Sequence, residues 1–84
     1  MKTYTFPWSC DAAYGDLELA ISKNEVELIK KAYRDAFDML SDVSYLSKLQ
    51  KRAVKQLDFY EPGLDQDIRI LFPEEITKEV DDET

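Results

Sequence analysis

Apolar and polar residues alternate at the start of this chain, pass to helical spacing in the middle and alternate again near the end. Tyr4, Phe6 and Trp8 interleave with Thr3, Thr5 and Pro7, the period-two pattern of a half-buried strand rich in aromatic and β-branched residues. Pro7 has no N–H to give a ladder, which suits an edge position or a strand end. Ser9 to Gly15 reads as a loop. From Asp16 to Ser22, Leu17, Leu19 and Ile21 alternate with Glu18 and Ala20, so a second strand with one wet face is expected and the two strands predict a hairpin.

Ser22 is followed three residues later by Glu25, the pairing of a capping box, in which hydroxyl and carboxylate each satisfy a free backbone amide at a helix start. Val26, Ile29, Tyr33, Phe37 and Leu40 then recur at spacings of three and four, widened by Ala32 and Ala36, and predict a first helix. Ser41-Asp42 interrupts that pattern with two N-capping residues. A second helix follows, with Leu46, Leu49, Ala53, Leu57 and Tyr60 on one face, and Glu61-Pro62-Gly63 ends it. Ile68, Ile70 and Phe72 alternate with Arg69 and Leu71 as a third strand, stopped by Pro73.

Together these elements predict an α+β fold in the order β-β-α-α-β: a two-layer sandwich whose three-stranded, mainly antiparallel sheet is covered by an αα-hairpin. Its inner face draws on Tyr4, Phe6, Trp8, Leu17, Leu19, Ile21, Ile68, Ile70 and Phe72. Short connections would set the third strand antiparallel to the second, with its place beside either the first or the second left open. Residues 1–73 make the single domain, and residues 74–84 an acidic tail with Ile76 and Val80 at helical spacing, either a short helix or disordered, with disorder expected beyond Glu79.

Composition adds charge to this picture. An 84-residue chain with 44% apolar residues suits one core. The net charge of −7 is concentrated at the end: residues 61–84 hold nine acidic against two basic residues, whereas residues 23–60 hold eight basic against six acidic. Such a balance repels nucleic-acid phosphates overall and favours a basic partner. Cys10 is the only cysteine, which rules out an intrachain disulfide and favours a reducing compartment. No stretch approaches the ~20 apolar residues of a membrane span or the apolar run of a signal peptide. A cytoplasmic protein without membrane contact is the expected setting.

Candidate chemistry is sparse. The chain has no histidine, and with it lacks the commonest general base and metal ligand, which weighs against an enzyme. Cys10 sits beside Asp11 without a nearby cation to stabilise a thiolate. Asp65-Gln66-Asp67 with Glu61 is the best carboxylate cluster, yet an EF-hand frame started at Asp65 puts Ile76 where the closing glutamate belongs. Two glycines cannot build a phosphate-cradling loop of the usual kind, so no cofactor is expected.

The sharpest pattern is basic: Lys48, Lys51, Arg52 and Lys55 fall on one face of the second helix. They stand opposite its apolar stripe, where any amphipathic helix carries solvent-facing residues, but the same stripe would suit an acidic segment, this chain's own tail included, or phosphates. Leu28, Met39 and Leu71 lie outside the main stripes and either form an apolar patch for a partner or lie beneath Ile76 and Val80. The expected function is a small acidic, non-enzymatic protein-binding or regulatory module, its partner another protein or a second copy. Nucleic-acid binding through the basic helix face is the alternative, and a carboxylate-based enzyme comes third.

Overall fold

The computed structural model describes residues 1–10, 13–58 and 68–82. Its elements are β1 (Lys2–Ser9), β2 (Tyr14–Ile21), α1 (Lys23–Arg34), α2 (Ser47–Asp58), β3 (Arg69–Ile70) and α3 (Glu74–Asp82), with two short 3₁₀ turns, Leu40–Asp42 and Ser44–Leu46, leading into α2. The α+β class and the order β-β-α-α-β are as the pattern predicts.

β1 and β2 pair antiparallel over their whole length, Lys2 opposite Ile21 and Ser9 opposite Tyr14, and Cys10 and Ala13 exchange backbone hydrogen bonds of 2.8 and 3.4 Å at the turn. The strands run further than the alternation marks. Gly15, expected in the loop, belongs to β2 opposite Trp8, where a Cβ would stand 3.2 Å from the indole Nε1. The ring lies against the glycine backbone, and a side chain at this position would have to push the indole aside by a few tenths of an ångström.

The strand order is β2-β1-β3, with β3 antiparallel to β1. β3 is therefore parallel to β2, which corrects the expected direction, and the strand carrying Pro7 is central, which corrects the expected edge. The reason lies in the alternation of backbone groups along a strand. The Pro7 carbonyl faces β3 and accepts from the Leu71 N–H at 2.8 Å, so the missing proline donor faces the two-residue strand and leaves the β1–β2 ladder intact. Beyond it the chain turns away: Phe72 N–H donates to the Asp38 carbonyl at 3.2 Å and Leu71 bridges to Met39.

α1 begins as a capping box, with Ser22 Oγ accepting from the Glu25 N–H at 3.2 Å and Glu25 Oε1 accepting from the Ser22 N–H at 2.9 Å. It ends sooner than the apolar stripe suggests. Phe37 N–H donates to the Ala32 carbonyl and Ala36 N–H to that of Tyr33, each at 3.0 Å, a Schellman closure that puts Ala36 at φ 72°. Phe37 thus leaves the helix for an exposed position, and Leu40 is buried from a 3₁₀ turn. The two turns also delay α2 to Ser47, past the expected caps at Ser41-Asp42. A left-handed alanine is strained where glycine is not. Ala36→Gly is expected to stabilise the fold by about 1 kcal/mol, the relief of strain offset in part by unfolded-state entropy, seen as a higher urea midpoint with unchanged slope.

Phe6, Leu17, Leu19, Ile21, Ile68, Ile70 and Phe72 are buried, and Tyr4 and Trp8 are half-buried against them. Ile29 and Ala32 of α1, Leu49, Ala53 and Leu57 of α2, Leu40 and Leu46 of the turns, and Val43 between the turns complete the same core. The C-terminal segment joins it too: α3 buries Ile76 and Val80 and packs on α1 and β1. It continues to Asp82, past the Glu79 beyond which disorder was expected, because its apolar pair has a surface to cover. Tyr60 and the Pro62-Gly63 stop lie outside the described residues.

Candidate functional site

All helices contribute to one core on one side of the sheet, so strand alternation assigns the other face. It carries Thr3, Thr5, Pro7 and Ser9 from β1, Tyr14, Asp16, Glu18 and Ala20 from β2, and Arg69 with Leu71 at the β3 end. Apart from Pro7 and Ser9, which are half-buried, every one of these is exposed, Tyr14 to 87%. No described element lies over this face.

Lys48, Lys51, Arg52 and Lys55 line one exposed face of α2 as expected, but Arg52 is committed elsewhere. Its Nη1 is 3.1 Å from Glu25 Oε2, and its Nη2 donates to Glu25 Oε1 at 3.2 Å and to the Ala20 carbonyl at 3.1 Å. One guanidinium therefore ties the end of β2 and the capping box of α1 to α2. That leaves Lys48, Lys51 and Lys55 as the outward-facing cations. α3, the described part of the acidic C-terminal segment, packs on α1 and β1 instead, where Lys30 meets Glu79 at 3.0 Å and Lys2 meets Glu75 at 3.5 Å. The Tyr33 hydroxyl donates to both Asp81 oxygens, at 3.2 and 3.3 Å, and this bond lifts its pKa above the ordinary phenol value.

Leu28, Met39 and Leu71 do not form one patch. Leu28 is half-buried against the core, whereas Leu71 is exposed on the opposite sheet face, with half-buried Met39 as its bridge partner. A depression of about 210 Å³ beside Leu71 is lined by Tyr33, Asp38, Phe72 and Thr77. A wider groove of about 560 Å³ runs past Lys2, Tyr4, Ile21, Lys23 and Val26.

Among the described residues no three Cys, Asp or Glu side chains converge as a metal would require, and the cluster Glu61, Asp65, Asp67 lies outside them. Cys10 is half-buried and packs against the core. No described helix is long and apolar enough to cross a membrane.

Glu25 has a displaced pKa. Burial alone would raise it, but the Ser22 amide and the Arg52 guanidinium together outweigh burial and hold it below its ordinary 4.5. A depressed carboxylate stabilises the fold above its unfolded pKa and loses that contribution as pH falls through the folded one. Glu25→Gln is therefore expected to flatten the dependence of the urea midpoint on pH below 4.5, measured against the parent. An unchanged slope would show the pair to be idle. This assignment was missed by sequence reading because Arg52 lies 27 residues from Glu25.

No protein-family model, curated protein or solved structure matches this chain.

Proposed function

We propose that this chain is a non-catalytic module that acts by binding another protein. The observation that supports the reading is the one-sided architecture: helices cover one face of the sheet, and the other face, with Tyr14 and Leu71 among polar residues, is left to solvent. Half-apolar surfaces with an aromatic and a polar surround are what protein partners use. The displaced carboxylate, Glu25, is lowered rather than raised, the opposite of what a general acid needs, and it is engaged by Arg52. Affinity capture from lysate at ~50 mM salt, followed by carbodiimide cross-linking and mass spectrometry, should recover a protein whose cross-links map to Asp16 and Glu18 on the open face of the β1–β2 hairpin. Recovery of nothing at that ionic strength overturns the reading.

A second reading follows from Lys48, Lys51 and Lys55, which stay exposed along about 10 Å of α2. Three lysines on a chain of net charge −7 make a small phosphate-binding surface. Electrophoretic mobility shifts with single- and double-stranded DNA and RNA at ~50 mM salt test it, and no shift for any of them removes it.

A further inference from the structure

The two outer strands of the sheet are finished differently. On the far side of β3, the Asp38 carbonyl accepts from Phe72 and Met39 bridges Leu71, so that edge is closed by the chain itself. Along β2, eight residues pair with β1 on one side, while among the described residues the other side is met by the Arg52 guanidinium on the Ala20 carbonyl. We propose that the β2 edge from Tyr14 to Glu18 is a strand-addition site for an extended, basic segment of a partner protein. The inference rests on the binding-module reading and names its partner.

The backbone sets the geometry. In an antiparallel strand the N–H and C=O of one residue point to the same side and alternate along the chain. The Ala20 carbonyl reaches Arg52, away from β1, so the groups of Glu18, Asp16 and Tyr14 also point outward at period two. Opposite Asp16 stands Pro7, whose carbonyl is turned to Leu71 on the other side, which agrees. Three consecutive alternate residues thus offer a donor and an acceptor each, over about 17 Å of strand, and Arg52 marks where the site stops.

The side chains choose the occupant. Tyr14, Asp16 and Glu18 all stand on the open face and are exposed. A strand added beside β2 places its own side chains about 5 Å from these, where opposite charges attract and like charges repel. A second copy adding its β2 would set acid against acid in a chain of net charge −7, so self-pairing is disfavoured. A segment with lysine or arginine at alternate positions meets Asp16 and Glu18 directly, and its outermost cation meets the Tyr14 ring face.

The probe is an octapeptide alternating lysine with threonine, titrated into the isotope-labelled full chain and followed by backbone amide shifts and hydrogen exchange. The segment adds antiparallel to β2, so the lysines that face Asp16 and Glu18 are also the residues whose N–H groups point to β2. N-methylation of the lysine positions is therefore expected to weaken binding at least tenfold, and N-methylation of the threonine positions to leave it unchanged. Slowed exchange should centre on Tyr14, Asp16 and Glu18. The double variant Asp16→Lys, Glu18→Lys is expected to bind about tenfold more weakly with an unchanged circular dichroism spectrum.

Equal binding of both methylated peptides, or shifts centred on the acidic residues of α3, would show general charge attraction and overturn the proposal. A dimer through β2 in sedimentation would overturn the choice of occupant. Capture of a cellular protein equally by the parent and the double variant would leave the module reading standing and remove this site. A peptide that docks along β2 while no cellular protein is captured would do the reverse.

Discussion

Truncating Phe6 to alanine is expected to destabilise the protein by about 3–5 kcal/mol, the usual range for removing a buried ring. Phe6 is fully buried in the central strand, faces Leu17 across the ladder and belongs to the core that all three helices share. A chain of 84 residues holds roughly 4–13 kcal/mol in total, so the loss consumes a large share of it. Phe6→Leu keeps most of the volume and should lose much less. Urea titrations of the three proteins at one temperature decide the matter: a loss under about 1 kcal/mol for the alanine variant would mean the site relaxes around the gap and that the centre of the sheet does not carry the packing.

The second large effect is expected at Ile76, where replacement by alanine should remove about 2–5 kcal/mol although the residue lies within nine of the chain's end. Ile76 is 1% exposed and packs with Phe6, Ile29 and Ile70 in one cluster. Glu79→Ala, by contrast, removes an ion pair to Lys30 from a side chain that is 62% exposed, and pairs of that kind contribute about 0–1 kcal/mol. The difference tests whether α3 is a layer of the fold or an attachment. If it is a layer, helicity and tryptophan emission of Ile76→Ala fall in one shared transition at lower urea. If it is an attachment, α3 melts alone and the emission transition stays where it was.

How much of this was legible follows from the range of each interaction. The inner faces of the strands, the capping box and the apolar stripe of α2 are set by neighbours within four residues, and the alternation and spacing showed them. The end of α1 was not legible because the Schellman turn uses alanine where glycine is the usual signal, so Ala36 and Phe37 continued an unbroken helical pattern. Pro7 misled in the same way: a proline normally marks an edge, and here the missing donor faces a strand of two residues. The candidate site depended on strand order. Asp16 and Glu18 were readable as a wet face, but that β2 is the outer strand, and that Arg52 serves Glu25 and Ala20 rather than the lysine stripe, are contacts between distant parts of the chain. No local spacing encodes them.

The cross-strand partnership of Trp8 with Gly15 gives the molecule a built-in optical gauge. Its one tryptophan lies where both ladders meet, opposite Gly15 in β2 and Ile70 in β3. Fraying of the hairpin tip and detachment of the third strand both wet the indole and shift its emission to the red, while events on the far side of α2 leave it dark to the observer. A strand docking along β2 would stiffen the backbone beneath that ring, so the occupancy of the sheet's edge is open to a fluorimeter without any label.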